Sequence, residues 1–282
     1  MARTLITALA LIAFLATSVP EAGAASSTSV WYKGRRMSIT HRYRKAGREL
    51  VLFIHGLACS KESFDGAWEE PKLKKYSLLA VDLPGFGGSS RPGSFSYTLE
   101  DHAGVVYEML RKFPQRKVHV VGHSMGGAVA VMLAKKNPRR FASLMSVDGC
   151  LGGQNVNSQQ QSTPLTYEEF TGKLEERIIR AQGKPEEKGL RLWYGWSRTT
   201  DPTAFKKSDE SLIQWSRSGK LVGMFLGLRM KKAYFYPERD GLPAPLKRTR
   251  KTRKIEISNS GHFIMNDNPG EFYPRLAAEM AR

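Results

Sequence analysis

Short apolar runs alternate along this chain with longer stretches of helical periodicity. Continuous apolar runs are typical of strands buried on both faces of a sheet, and they occupy residues 51–54 and 78–81. Mostly apolar runs at 118–121 and 144–147 predict two further strands. Weaker patterns predict opening strands at 30–37 and 38–44, joined near Gly34, and closing strands at 232–236 and 254–257. Residues 97–112 have the period of an amphipathic helix. Strands that alternate with helices predict the α/β class, with a mostly parallel, doubly wound sheet.

The alternation stops between residues 151 and 230. A polar stretch at 152–162 is followed by amphipathic segments at 167–181 and 211–228, without a strand pattern. This composition predicts a helical cap inserted at 151–230 between two parts of one core, 25–150 and 231–282. We expect the cap to lie over the carboxyl edge of the sheet.

The first 24 residues have the layout of a secretory signal peptide. Arg3 supplies a positive start, residues 5–16 are apolar apart from Thr7, and residues 22–24 are small. An apolar run of this length is short for a membrane span, although an uncleaved anchor is the alternative. The sequence therefore predicts an exported protein, periplasmic or secreted.

The chain is strongly basic. It carries 44 Lys and Arg against 26 Asp and Glu, which gives a net charge of +18. Because the charge is spread along an exported chain, we expect no nucleic-acid partner. The densest basic run, 247–254, is interpreted as solvated surface, with weak electrostatic association with an anionic membrane or envelope surface as the alternative.

The cysteines and histidines do not indicate a metal site. Cys59 and Cys150 each follow a predicted strand. The sequence is consistent with a disulfide between them and also with two separate buried thiols. No zinc-type spacing is present, and we expect neither a metal nor a cofactor.

The most specific chemical signal is the sequence around Ser124. A predicted strand ends before Gly122-His123-Ser124-Met125-Gly126, and small apolar residues typical of a buried helix follow. This order matches a nucleophile elbow, a sharp turn that exposes the serine hydroxyl and admits only small residues two positions away. Ser124 is therefore the candidate nucleophile.

A serine nucleophile needs a base, and the base needs a carboxylate. His262 follows the last predicted strand in a glycine-bearing loop and is the candidate base. Asp240 follows the strand at 232–236 and is the first choice for the acid. Glu238 and Asp148, which follows the preceding strand, are the alternatives.

Backbone N–H groups are the expected donors to a developing oxyanion. Gly56 lets the chain turn after the strand at 51–54, so that the Leu57 N–H faces the pocket. The second donor is the N–H of Met125, directly after the nucleophile. His55 either orients this loop or has only a structural role at the strand end.

Four motifs in this order resemble the α/β-hydrolase superfamily, in particular its lipase/esterase-like branch with a helical cap. They are FIHG at 53–56, DLPGFGGS at 82–89, GHSMGG at 122–127 and SGHF at 260–263. The resemblance covers about residue 30 to the end. It implies Ser124 as nucleophile, His262 as base, Asp240 as acid, and Leu57 and Met125 as oxyanion donors. The chain departs from the family at Pro237, where glycine is usual.

The expected function is that of an exported serine hydrolase, with a small carboxylic ester as substrate and an acyl-enzyme intermediate. Serine at the elbow argues against the dehalogenase and epoxide hydrolase relatives, which attack with aspartate. Hydrolysis of amides or carbon–carbon bonds by the same triad, and a ligand-binding protein without turnover, are the alternatives. Aromatic and apolar cap residues either line an acyl pocket or form the core of the cap itself: Trp193, Tyr194, Trp196, Trp215, Met224 and Phe225. The sequence does not indicate an oligomeric state.

Overall fold

The structure is a computed structural model that describes residues 25–151, 166–180, 188–250 and 252–282. The predicted signal peptide at 1–24 and the polar loop at 152–162 lie outside the described residues, so both stay predictions.

An eight-stranded sheet forms the centre of the molecule. Its strands are β1 (Ala25–Tyr32), β2 (Arg35–Arg44), β3 (Glu49–Ile54), β4 (Ser77–Val81), β5 (Lys117–His123), β6 (Phe141–Val147), β7 (Lys231–Pro237) and β8 (Arg253–Ile257). Their spatial order is β1-β2-β4-β3-β5-β6-β7-β8. The pairs β1/β2 and β2/β4 are antiparallel, and all the others are parallel. This confirms the predicted α/β class with a mostly parallel sheet.

The first hairpin differs from its predicted boundaries. β1 and β2 are joined by the two residues Lys33 and Gly34, with φ of 48° and 75°. Two successive left-handed residues make the tight turn that matches the twist of a hairpin. The first strand therefore ends at Tyr32 instead of continuing to residue 37.

Helices cover both faces of the sheet. They are α1 (Leu99–Leu110), α2 (Met125–Lys136), α3 (Tyr167–Arg180), α4 (Lys188–Ser197), α5 (Pro202–Arg217), α6 (Lys220–Gly227), α7 (Ala244–Lys247), α8 (Ile264–Asp267) and α9 (Pro269–Ala281). Short 3-10 helices occupy Lys61–Trp68, Pro71–Leu73 and Pro138–Arg140.

The central strand β3 shows why its sequence is continuously apolar. Leu50, Leu52 and Ile54 pack into one hydrophobic cluster with residues of α1 and α2. Val51 and Phe53 pack into a second cluster with residues of α9. Successive strand side chains point to opposite faces, so a strand covered on both sides has no polar face.

The helices that the structure describes between β6 and β7 are α3–α6, and this part of the chain contacts the loops at the carboxyl ends of the parallel strands. The Asp201 N–H donates to the Gly85 carbonyl at 2.8 Å, after β4. The Gly189 N–H donates to the Asp267 carboxylate at 2.8 Å, after β8. The helix predicted at 211–228 is two helices, because Gly219 between them has a left-handed φ of 65°. The cap boundaries 151–230 stay a prediction.

Both cysteines are buried and free, so the structure has no bond between Cys59 and Cys150. The basic run at 247–254 is divided between α7, a turn and the start of β8, with residue 251 outside the described ranges. Of the helices in the described ranges, none is both long enough and apolar enough to cross a bilayer.

A buried histidine links the cap to the core and makes stability depend on pH. Nε2 of His102 in α1 lies 3.0 Å from the Ser208 hydroxyl of α5. Burial lowers the pKa of His102 from 6.5 to about 3. Between these two pKa values, the unfolded chain binds a proton at His102 that the folded chain does not bind. The free energy of unfolding therefore falls as the pH drops from about 6.5 towards 3, by about 1.4 kcal/mol per pH unit for this group.

We expect His102→Gln to reduce this slope, since it removes one such group. Urea unfolding of both proteins over this pH range measures it. An unchanged slope would show that His102 is not a source of the acid sensitivity.

Candidate active site

Ser124 occupies a sharp turn between β5 and α2. Its backbone has φ 53° and ψ −120°, a conformation that costs energy for any residue with a side chain and persists only where its surroundings impose it. Three backbone hydrogen bonds hold Ser124 in this conformation. Its N–H donates to the Val147 carbonyl at 3.1 Å, and its carbonyl accepts from the N–H groups of Cys150 at 3.1 Å and Gly127 at 2.9 Å. The turn at Ser124 has the strained backbone expected of a nucleophile elbow.

The glycines beside Ser124 are required by close backbone approach. A Cβ at Gly122 would lie 2.3 Å from the Gly126 carbonyl oxygen, and a Cβ at Gly126 would lie 2.2 Å from the Ile54 carbonyl oxygen. These atoms belong to the backbone of the packed core, which cannot move aside as a flexible side chain can. The pattern therefore lets α2 pack directly against β3 and β5.

We expect Gly126→Ala to destabilise the fold by about 2–3 kcal/mol, because the added methyl overpacks the core. The matched control is Gly223→Ala in α6, where an added Cβ meets nothing within 4 Å. That change should stabilise its helix by up to about 1 kcal/mol. Urea unfolding midpoints measure both, and equal effects would contradict the role assigned to the close approach.

His262 and Asp148 form a direct pair. Nδ1 of His262 lies 2.6 Å from Oδ2 of Asp148. Because a carboxylate can only accept, Nδ1 carries the proton and Nε2 presents a lone pair. Asp148 is buried, its N–H donates to the Phe235 carbonyl at 2.8 Å, and the Tyr234 hydroxyl donates to its Oδ1 at 3.3 Å. The carboxylate is thus held in place from β7.

His123 connects this pair to the serine turn. Its Nε2–H donates to the backbone carbonyl of His262 at 2.8 Å, and the two imidazole centroids are 4.7 Å apart. Complete burial lowers the pKa of His123 well below 6.5, so the ring stays neutral. The residue directly before Ser124 therefore positions the loop that carries His262. Sequence analysis included His123 only as part of the elbow motif.

The candidate acid that the structure places beside His262 is Asp148, an alternative to the first choice, Asp240. Asp240 is exposed and lies in the tight turn after β7, which the bond from the Gly241 N–H to the Pro237 carbonyl closes at 3.0 Å. Glu238 is also exposed, and its carboxylate accepts from the Asn259 N–H at 2.8 Å. The structure brings neither of them to His262; it brings Asp148, the third candidate.

The His55 side chain holds the loop after β3 in place through two hydrogen bonds. This side chain is fully buried, and burial lowers its pKa. Nε2 accepts from the Leu83 N–H at 3.0 Å, so Nδ1 carries the proton and donates to the Gly56 carbonyl at 2.7 Å. Of the two roles left open for His55, these bonds favour orientation of the loop.

Leu57 and Met125 follow the ends of β3 and β5. The Leu57 carbonyl accepts from the Trp193 indole N–H of the cap at 3.0 Å. Met125 is the first residue of α2, so its N–H has no acceptor within the helix. Both positions follow carboxyl ends of neighbouring strands, β3 and β5.

A family model described as alpha/beta hydrolase fold matches residues 49–177. An esterase structure from Thermogutta terrifontis superposes with a TM-score of 0.70 at 17% identity, and the superposition covers 91% of this chain and 98% of the esterase. The chain has the α/β-hydrolase fold. It is also esterase/lipase-like in sequence, since curated relatives named as lipases match part of it.

Lipase 3 of Moraxella sp. is 39% identical over 101 residues, which are 36% of this chain and 31% of the lipase. The acetyltransferase component of an acetoin cleaving system from Cupriavidus necator is 35% identical over 152 residues, 52% of this chain and 39% of that protein. The chain therefore spans well under half the length of these relatives.

The buried ion pair of Lys61 and Asp82 stabilises the DLPGFGGS loop at 82–89. Asp82 accepts from the Lys61 N–H at 2.7 Å, from Lys61 Nζ at 3.1 Å and from the Gly88 N–H at 2.9 Å. Gly87 has a φ of 51°, and a Cβ there would lie 2.4 Å from the Asp82 carboxylate. Sequence analysis did not identify Lys61, because a single lysine after a strand carries no signal of burial.

Cys150 lies beside the candidate nucleophile, with its Sγ 3.6 Å from the Ser124 hydroxyl. Burial raises the pKa of this thiol to about 12. The thiol therefore stays protonated near neutral pH and does not compete with Ser124 as a nucleophile.

The six cap residues divide between a cluster inside the cap and the core of the sheet. Trp193 and Tyr194 pack against the cap cluster that contains Phe170, and Trp193 also reaches Phe263 of the core, with ring centroids 5.3 Å apart. The other four pack against the core clusters of the sheet: Trp196, Trp215, Met224 and Phe225. The interpretation as the core of the cap therefore fits Trp193 and Tyr194, and an acyl pocket stays a prediction. No cluster of three or more His, Cys, Asp or Glu that could hold a metal ion occurs in the described part of the chain.

Proposed function

We propose that this α/β-hydrolase is a serine hydrolase of carboxylic esters, with Ser124, His262 and Asp148 as its triad. The observation that carries the proposal is the 2.6 Å pair of His262 and Asp148, whose loop is bonded to the residue before Ser124. A buried carboxylate on Nδ1, with Nε2 left to accept a proton, is the arrangement that general-base catalysis on a serine requires.

In the proposed reaction, the Ser124 hydroxyl attacks the ester carbonyl while Nε2 of His262 takes its proton. Asp148 stabilises the imidazolium, and the N–H groups of Leu57 and Met125 donate to the oxyanion. Collapse of this intermediate transfers the proton to the leaving alkoxide and leaves an acyl group on Ser124. Water, deprotonated by His262, then releases the carboxylic acid and restores the serine.

The substrate class in this proposal is a small ester. Similarity to Lipase 3 supports ester bonds over the amide and carbon–carbon alternatives, and the paired histidine supports turnover over ligand binding alone. We also propose export through the signal peptide at 1–24, to the periplasm or the medium, with no nucleic-acid partner and weak electrostatic association with an anionic surface.

Labelling by a fluorophosphonate tests the proposal. The probe should attach to Ser124, located by peptide mass spectrometry, and labelling should fall when an ester substrate competes. A panel of aryl esters of graded acyl length, matched amides and a diketone acid then identifies the bond that is cut. Absence of labelling in folded protein would contradict the serine mechanism, and labelling with turnover of the amide or diketone alone would contradict the ester assignment.

A further inference from the structure

Basic residues that are scattered in the sequence gather at one edge of the sheet. Six short connections lead directly into the parallel strands β3–β8, and none of them contains an Asp or Glu: residues 45–48, 74–76, 111–116, 137–140, 228–230 and 248–252. We call the exposed basic side chains of these connections the amino-edge face: Lys45, Arg48, Lys74, Lys75, Arg111, Lys112, Arg116, Arg139, Arg229, Arg248 and Arg250. Because amino ends of parallel strands lie at the same edge, these residues share one side of the molecule.

Acidic residues near this edge neutralise only part of its charge. Glu49 pairs with Lys117 and His119, Glu108 with Arg111, and Glu279 with Arg253 and Arg282. Glu69 and Glu70 precede the 3-10 helix Pro71–Leu73. The basic residues of the face remain in large excess.

The opposite, carboxyl edge has mixed charge. Its loops after β3, β4, β6 and β7 carry Asp148, Glu238, Asp240 and the Asp82–Lys61 ion pair, together with Arg91 and Arg239. The candidate active site lies there, so the molecule presents a cationic side away from its proposed catalytic edge. A field of this kind orients a protein on an anionic surface.

The course of β1 distinguishes a bilayer from other polyanions. β1 is antiparallel to β2, which is antiparallel to β4, so β1 runs in the same direction as the parallel strands. The chain therefore enters β1 at Ala25 from the side of the amino-edge face. In the uncleaved form of the chain, the apolar run at residues 5–16 stays attached upstream of this point, which favours lipid as the neighbour on this side.

We propose that the amino-edge face binds the anionic headgroups of a phospholipid bilayer and holds the carboxyl edge towards the aqueous side. Six strands at the usual spacing make this face about 24 Å wide, enough to engage several headgroups at once. The proposal extends the surface association proposed above and does not depend on hydrolytic activity. It also assigns that association to a face built from six connections instead of the single run at 247–254.

Co-sedimentation of the full chain with vesicles tests the proposal. The vesicles contain either phosphatidylcholine alone or equal parts of phosphatidylcholine and phosphatidylglycerol. The face variant carries Lys74→Glu, Arg116→Glu and Arg139→Glu, all at exposed positions. The control variant carries Lys173→Glu, Arg191→Glu and Lys206→Glu on the exposed surface of cap helices. Both variants keep residues 1–24 and have the same net charge.

We expect the wild type to bind the anionic vesicles, and the face variant to bind at least about tenfold more weakly, since each basic residue near a membrane contributes to binding. The control variant should lose much less affinity for the anionic vesicles. Added salt should release the protein, because ions screen the attraction. Unchanged far-ultraviolet circular dichroism and ester hydrolysis establish that the face variant is folded, and the triple Gln variant at the same positions replaces it if it is not.

Several results would overturn the proposal. If the two variants lost vesicle affinity equally, the binding would depend on net charge alone. Equal binding to neutral vesicles would attribute it to the apolar N-terminal segment. No binding to either vesicle, or displacement from anionic vesicles by duplex DNA at low concentration, would remove the bilayer as the partner. Each of these outcomes can occur with ester hydrolysis intact, so it is separable from failure of the proposed function.

Discussion

Ser124→Ala should abolish most ester hydrolysis, with kcat lowered about 10⁴–10⁶-fold. The substitution removes only the hydroxyl group, which attacks the carbonyl in the proposed mechanism. The folded state should survive, because alanine occupies the same strained turn with the same backbone bonds to Val147, Cys150 and Gly127. Initial rates on an aryl ester, together with a urea unfolding curve, measure both quantities.

A matched control for this change is Ser146→Ala. Ser146 lies on β6, the strand next to β5, and its buried hydroxyl has no hydrogen-bond partner among the described residues. It therefore loses the same atom from a comparable environment, and we expect activity within a few-fold of the wild type. Retention of full activity by Ser124→Ala, or an equal loss in Ser146→Ala, would show that the hydrolysis does not proceed through Ser124.

Asp148→Asn should lower kcat by about 10⁴-fold. An amide has nearly the size of the carboxylate, but it can donate to Nδ1 of His262 and so favours the tautomer whose Nε2 carries a proton. His262 then cannot accept the serine proton, and the imidazolium loses its stabilising charge. Steady-state kinetics on the same aryl ester, over a range of substrate concentrations, separates this loss in kcat from a change in KM.

Two neighbouring carboxylates supply the controls. Asp240→Asn and Glu238→Gln change exposed side chains in the turn after β7, and we expect each to leave kcat within a few-fold of the wild type. This comparison distinguishes the structural assignment from the order suggested by family resemblance. A larger loss in Asp240→Asn than in Asp148→Asn would reverse the assignment and require the loop after β7 to move towards His262.

Local patterns were sufficient to predict the parallel strands and the elbow. The run at 51–54 became the end of β3 because a strand covered on both faces needs apolar residues at every position. The glycines at 122 and 126 were informative because close backbone approach excludes every larger side chain. The first hairpin was less well predicted, since a turn of two left-handed residues left no distinctive signal at Lys33.

The acid could not be chosen from chain order alone. Asp148, Glu238 and Asp240 all follow strands and all precede His262. The choice depended on the turn that Pro237 and Gly241 close after β7, and on the hydrogen bond from the Asp148 N–H to the Phe235 carbonyl, which holds Asp148 next to β7. Pro237 was the one local sign, because it departs from the glycine usual in the family.

The amino-acid sequence by itself determined the class of fold, the turn at Ser124 and the candidate histidine, since each depends on contacts between residues close in the chain or on a side chain with rare chemistry. The tertiary structure alone decided that Asp148 pairs with His262 and that dispersed basic residues share one edge. Both depend on which strand ends become neighbours in the sheet. That juxtaposition follows from packing and hydrogen bonding across long sequence separations, which no local pattern records.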